Sequence, residues 1–336
     1  MILKDIGEFG FIDRFKGNFT KNLPAGMQGI GDDCAVIPSE SYDYVVTTDM
    51  LVEDVHFITK EIGGYQLGKK SLAVNLSDIA AEAGEPVGSF LSLAVPSTVS
   101  VEFLDEFMKG YAYFTEKYNC PLLGGDTTKS LGPLVINVTV IGRVSKGKFK
   151  TRSSAQKGDF ICVTGPLGDS GAGLDFLLNP SLNRNDNALE LIHRHHNPEP
   201  RIPEGMFFAS RPEVHAMMDI SDGIGSDMKH ILDESKVSAL IELERLPLSD
   251  VMQNEYGEQR SKMYKYAVTG GEDYELLLTV DSSMFGTLNF DYSNKFGKEL
   301  FRIGKIIETS ENCKLFLTEN GWPVNSLGSG FDHFMA

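Results

Sequence analysis

Short β-branched or apolar runs alternate with longer stretches of helical period in both halves of the chain. That alternation confines the fold to mixed α and β. Tyr44–Met50 (YVVTTDM) reads as a strand with Asp49 at its C-terminal end. Gln66–Ala83 carries Leu67, Leu72, Leu76, Ile79, Ala80 and Ala83 near helical spacing, and Gly84 then Pro86 stop it. Val101–Tyr118 is a second amphipathic helix, with Leu104, Phe107, Tyr111 and Phe114 on one face. Pro121–Gly124 reads as a short strand and Leu134–Val144 as a longer one. A locally basic stretch poor in large apolar residues, Ser145–Gly158, marks a boundary. Beyond it come a strand at Asp159–Thr164, a Gly-rich turn and a helix at Asp169–Leu178. His193–Pro203 reads as a Pro-rich connection. Val214–Asp219 runs as a strand into the turn Ile220–Ser226, and a helix follows to about Ser235. Ala239–Leu243 and Tyr274–Val280 are further strands. The expectation is an α+β (mixed α/β) chain of two domains, 1–146 and 147–336.

Composition narrows the partners. Of 336 residues, 41% are hydrophobic and 23% charged, as in a soluble globular chain. No apolar run reaches the roughly 18 residues of a membrane span, and the mixed residues 1–15 do not form a secretory signal. With 31 basic against 47 acidic residues the net charge is −16, so no basic footprint for nucleic acid is visible. An acidic chain that binds phosphates needs metal cations to bridge the two sets of negative charge. Cys34, Cys120, Cys162 and Cys313 are widely separated, which suggests a reducing cytoplasm and no zinc ribbon or disulfide framework.

The aspartates are the most informative feature. Asp32–Asp33 (GIGDDCAV), Asp49 (VTTDM), Asp126 (LLGGDTT), and Asp219 and Asp222 (MDISDGIGSD) sit at expected strand ends or in Gly-rich turns, and Asp78 lies within a helix. Each has an ordinary reading. A turn Asp can bond its own backbone, and Ser221 or Asp222 can cap the following helix. Asn75, Asp78 and Glu82 can form a solvated stripe. Together they fit a Mg²⁺ site for phosphates, because Mg²⁺ takes hard oxygen ligands from a few carboxylates plus substrate phosphates. Other chemistries lack their residues: there is no GxxxxGK[ST], GxSxG or HExxH. Gly165–Gly173 (GPLGDSGAG) has no lysine and reads as a tight turn. His193, His195 and His196 read as part of a surface loop. His56, seven residues after Asp49, is a candidate ligand contact. Gly270–Glu275 (GGEDYE) is either a turn with a solvated acidic edge or a substrate-facing loop. Trp322 and Phe331 lie in a Gly-rich tail, as packing groups or as ligand contacts.

The segments GIGDDCAV, TTDMLVEDVHF, KSLAVNLSDIAAEAG, LLGGDTT, TRSSAQKGD, DISDGIGSD and GGEDYELLL come in the order found in thiamine-monophosphate kinases. The chain resembles that family from about Gly29 to Asp332. The wider superfamily includes aminoimidazole ribonucleotide synthase and selenophosphate synthetase, whose members share two α/β domains and Mg·ATP use. VHF and GGEDYE favour the kinase, and the reactive Cys and Lys of selenophosphate synthetase are not seen. The resemblance implies ATP-dependent phosphorylation of thiamine monophosphate to thiamine diphosphate, as direct in-line transfer. It implies Mg²⁺ ligation by Asp33, Asp49, Asp78, Asp126, Asp219 and Asp222, with oxygens from Thr47 and Thr48. It places ATP against Gly125, Asp126, Arg152 and Ser221, and the thiamine substrate against His56, Glu272 and Phe331. It also implies a cytoplasmic homodimer, with 1–146 as the Mg/ATP-binding domain carrying the dimerisation sheet and 147–336 completing the site. At the position of a tyrosine that contacts nucleotide in many members, this chain has Met108. The competing readings are another Mg·ATP enzyme of the superfamily, or a nucleotide-binding regulator without turnover.

Overall fold

The computed structural model describes residues 5–21, 23–309, 312–324 and 327. In chain order the elements are α1 (Gly7–Thr20), β1 (Ala35–Pro38), β2 (Tyr42–Val52), α2 (Gly64–Ala81), β3 (Glu85–Pro96), α3 (Val101–Lys117), β4 (Leu122–Ser130) and β5 (Val135–Ser145). Then follow β6 (Phe160–Val163), α4 (Asp169–Leu178), α5 (Asp186–His196), α6 (Ile202–Phe208), β7 (Val214–Asp219) and α7 (Ile224–Ser235). The last are β8 (Val237–Glu242), α8 (Asp250–Tyr256), α9 (Arg260–Thr269), β9 (Leu276–Val280), α10 (Phe285–Phe296), β10 (Phe301–Thr309), β11 (Leu315–Glu319) and β12 (Trp322–Val324). The fold class is mixed α and β, with two sheets.

The chain divides into two compact units that are not consecutive in sequence. One comprises Asp33–Phe149 with His196–Ala209; the other comprises the residues up to Asp32, Lys150–His195, and those from Ser210 onward. A single cut between 146 and 147 therefore misses two exchanged segments. The reason is packing that local sequence does not report. Gly205 in α6 lies so close to α2 that a Cβ there would come 2.3 Å from the Ala80 carbonyl oxygen. Glu199 accepts hydrogen bonds from Lys117 Nζ and Tyr118 Oη.

The first unit is built on a sheet of order β1-β2-β5-β3-β4, in which only β3 and β4 run parallel. β2 and β5 pair over their full lengths, from Tyr42↔Ser145 to Val52↔Val135. Strict alternation turns Val45, Thr47 and Leu51 of β2 and Ile136, Val138 and Val140 of β5 to the buried face. On that face lies α2, buried at 14 of its 18 positions because α3 and α6 also pack on it. Ser100 caps α3 by accepting from Phe103 N at 3.2 Å. Phe107, Tyr111 and Phe114 are its buried stripe, and Leu104 is half-buried.

The second unit is built on a sheet of order β12-β11-β8-β10-β6-β9-β7, antiparallel except for β11 with β8. Ile161, Met218, Ile231, Ala239, Leu277 and Ile303 are among its core residues. A satellite cluster of Phe176, Leu191, Met252 and Met263 joins α4, α5, α8 and α9.

Three local expectations change here. The strand expected at Pro121–Gly124 continues to Ser130, so Asp126 lies within an exposed edge strand and not in a turn. Asp49 likewise lies within β2, three residues before its end. The Pro-rich connection is two helix ends: His193–His196 close α5, and Pro203 sits in the first turn of α6, where its missing N–H costs nothing. Phe331 falls outside the described residues. Among the described residues no helix is long and apolar enough to cross a membrane.

Candidate active site

Carboxylates gather in each unit. In the first, Asp33 just ahead of β1 and Asp78 on α2 bring carboxylate oxygens within 4.8 Å of one another. The same distance holds between Asp33 and Glu82. Thr47 Oγ1 donates to Asp78 Oδ2, and the Cys34 thiol lies 3.5 Å from the Asp78 carbonyl. The stripe Asn75–Asp78–Glu82 is not solvated: Asn75 is fully buried, Glu82 is 1% exposed and Asp78 is half-buried. Sequence reasoning missed Glu82 because the helical period shows a stripe but not what covers it.

Neighbouring β2 residues point to opposite faces. Asp49 shares the helix-covered face with Thr47. The Thr48 hydroxyl is turned away, donating to Val138 O at 3.2 Å, with Asn137 Nδ2 donating back to it at 3.2 Å. The structure thus brings the Thr47 hydroxyl to Asp78 and takes that of Thr48 elsewhere. Gly125 and Asp126 lie on β4, with Asp126 opposite Ser92. A Cβ on Gly125 would stand 1.7 Å from the Leu91 carbonyl oxygen, so glycine is required there for strand approach alone. His56 sits in the tight turn after β2, and its Nδ1 accepts from Val52 N at 3.0 Å. A backbone N–H can only donate, so the ring proton of neutral His56 is on Nε2.

In the second unit, β7 ends in Asp219, which is 1% exposed. The turn beyond it is pinned by the Gly270–Glu275 loop: Glu272 N donates to Ser221 O at 2.8 Å and Tyr274 N to Ile220 O at 2.9 Å. Both residues adopt positive φ, 64° and 51°, the left-handed region that side chains rarely enter. Asp222 N donates to Asp227 Oδ2 at 3.3 Å. Asp227, in the first turn of α7, carries no signal in the DISDGIGSD motif that sets it apart, and sequence reasoning misses it. Burial pushes its carboxyl well above the usual range, the charges of Asp222 and then Asp219 add to the rise, and Arg152 opposes it. Arg152, within the locally basic boundary stretch, is largely buried. Its side chain is 16% exposed, its Nε lies 3.7 Å from Asp32 Oδ1, and its carbonyl accepts from Ser235 Oγ at 2.7 Å. Burial first, then Arg152, lowers His230 to about 4, leaving it neutral.

The Gly-rich turn before α4 spends its backbone donors within the protein. Gly168 N and Ser170 N donate to Asp273, at 2.6 and 3.2 Å. His195 and His196 are buried at the end of α5, which corrects the surface-loop reading. Met108 is exposed on α3, and Trp322 is 78% exposed on β12.

Buried carboxylates crowded in this way favour a hard divalent cation, since like charges out of water cannot all remain ionised unaided. A pH dependence follows. With its raised folded value, Asp227 keeps a proton in the folded chain above 3.8 that the unfolded chain has released. Stability of the metal-free protein therefore falls as pH rises from about 4 through that folded value. Calorimetry in chelator should show a falling Tm over that window. Asp227→Asn should flatten the slope, and an unchanged slope would remove Asp227 as its source.

Comparison with known proteins agrees with this arrangement. The sequence pattern of the N-terminal domain of AIR synthase related proteins matches residues 31–144. Thiamine-monophosphate kinase of Haemophilus influenzae is 38% identical over 98% of both chains. That of Escherichia coli K12 is 37% identical over 98% of both. The solved structure described as AaThiL complexed with AMPPCP and TMP has 32% identity, a TM-score of 0.83 and 99% coverage of each chain. This chain belongs to the thiamine-monophosphate kinase family.

Proposed function

We propose that this chain transfers the γ-phosphoryl group of ATP to thiamine monophosphate, giving ADP and thiamine diphosphate. The observation that carries the reading is the placement of hard oxygen donors: Asp33, Asp78 and Glu82 in one unit, and Asp219, Asp222 and Asp227 in the other. The full-length likeness to a relative solved with AMPPCP and TMP selects the two substrates.

Asp33, Asp49, Asp78, Asp126, Asp219 and Asp222 would hold Mg²⁺, with an oxygen from Thr47; the Thr48 hydroxyl, engaged with Val138 O on the other face, drops out of the expected set. Bound Mg²⁺ would neutralise phosphate charge on donor and acceptor. The chain's own residues orient the reactants. Gly125, Asp126, Arg152 and Ser221 contact the nucleotide, and Arg152, fixed by Asp32, supplies a permanent positive charge. His56 presents Nε2–H to the thiamine substrate, Glu272 accepts from its aminopyrimidine amine, and Phe331 stacks on that ring. The acceptor is a phosphate monoester, mostly dianionic at neutral pH, so no strong general base is needed. Positioning and charge neutralisation do the work. The test is ADP release with thiamine monophosphate, Mg²⁺ and ATP, with the product identified by chromatography. ADP without thiamine diphosphate would sink the substrate assignment.

The same reading makes the chain a cytoplasmic homodimer. Its support is the face of the first unit's sheet on which Ile37 of β1, Tyr44 and Met50 of β2 and Phe90 of β3 are exposed among the described residues. Sedimentation equilibrium should give the mass of two chains, and Met50→Lys should lower it toward one. A single-chain mass for the unmodified protein would end the proposal.

A further inference from the structure

The end of α5 is clasped onto the start of α4. Gly173 allows this: a Cβ there would lie 2.3 Å from Leu191 O and 3.1 Å from His195 Cβ. Arg194 Nη1 donates to Asp169 Oδ2 at 2.6 Å, and Ser249 Oγ donates to Asp169 Oδ1 at 2.7 Å. The next residue on α5, His195, is 3% exposed. Its Nδ1 lies 2.9 Å from Ser170 Oγ and 3.4 Å from Glu272 Oε2. The Glu272 side chain is 23% exposed, so its carboxylate reaches solvent on one side and the buried ring on the other.

The main chain around Glu272 is anchored independently of that ring. Its N–H is bonded to Ser221 O, and Asp273 beside it caps α4 through two backbone donors. These contacts fix where the Glu272 Cα sits but leave its side-chain torsions open. The ring of His195 meets the carboxylate from the buried side. With a proton on Nδ1, that contact is attractive. With a lone pair there, it would face an anionic oxygen.

We infer that His195 is a positioning residue for Glu272, holding the carboxylate in the orientation in which it accepts from the amine of an aminopyrimidine substrate. This inference rests on the proposed contact between Glu272 and thiamine monophosphate. His195 itself does not touch the substrate. It acts by restricting the Glu272 carboxylate before binding, so that less freedom is lost when the substrate arrives.

Steady-state kinetics of the full-length enzyme test it, with His195→Gln, His195→Asn, Glu272→Gln and the double variant His195→Gln/Glu272→Gln. The asparagine amide nitrogen can stand where Nδ1 stands; that of glutamine falls near Nε2. His195→Gln should raise KM for thiamine monophosphate about tenfold, with kcat and KM for ATP within about twofold. His195→Asn should recover most of that loss. The double variant should be no worse than Glu272→Gln alone, because the two residues act as one unit. Equal KM for the Asn and Gln variants, or a rise in both substrates' KM with a lower Tm, would overturn the inference and leave His195 a packing residue. A raised KM in Glu272→Gln with none in His195→Gln would end the inference alone. An unchanged KM in Glu272→Gln would end the substrate contact on which it rests.

Discussion

Asp222→Asn should lower the rate of the proposed phosphoryl transfer by about 100-fold or more, while the metal-free protein becomes more stable. The two effects have one cause. Asp222 adds its negative charge to Asp227 and Asp219 in a buried corner, and that repulsion is part of what drives the Asp227 carboxyl upward. Asparagine removes the charge but keeps the backbone N–H that donates to Asp227 Oδ2. The turn should therefore hold its shape with less internal repulsion. What disappears is an anionic oxygen for the cation. Melting curves with and without Mg²⁺ separate the two effects. The variant should melt higher than the parent in chelator and gain less from Mg²⁺. A variant as active as the parent would remove Asp222 from the catalytic set. A lower chelator Tm would show the charge to be compensated already.

Gly125→Val should cost about 3 kcal/mol or more of stability and most of the activity. The added Cβ would sit 1.7 Å from the Leu91 carbonyl oxygen, on backbone that cannot turn aside as a side chain can. Either β4 separates from β3 or both strands shift. Asp126, the next residue, moves with them, and a displacement of about 1 Å at a positioning group can cost roughly 100-fold in rate. Gly124→Ala is the matched control. Its Cβ would meet only the Phe90 ring at 3.6 Å, an ordinary contact, so stability and activity should both be nearly unchanged. Equal Tm values for the two variants would show that the strand approach tolerates a side chain.

Much of the fold is legible locally. The β2 and β5 strands, α2, α3, α4 and β7 fall within a few residues of where alternation, helical period and Gly or Pro stops put them. β1, β3 and the elements after β9, along with α1, α5, α8 and α9, escaped notice. α5 does carry a helical stripe at Ala188, Leu191 and Ile192, but its His- and Pro-rich end reads as a connection; β3 lacks a clean period. In β3 burial does not alternate: Gly88 and Ser89 are both buried, and Ser92–Pro96 are half-buried throughout.

The candidate site divides in the same way. Residue chemistry was enough to pick out the aspartates beside glycine, the His56 turn and the GGEDYE loop, because hard oxygen donors and tight turns are properties of individual residues and close neighbours. Ordered motifs were enough to point to the family. Partnership over long sequence distance was not legible. Thr47 and Thr48 look alike in sequence, yet one hydroxyl meets Asp78 and the other faces away across the sheet. Glu82 looks like a solvated helix acid until its neighbours bury it, and nothing in the sequence marks Asp227 as buried. His195 reads as a loop histidine until α5 closes against α4 and brings it to Glu272. A period records which side of an element is apolar; it carries no record of which distant side chain arrives to face it.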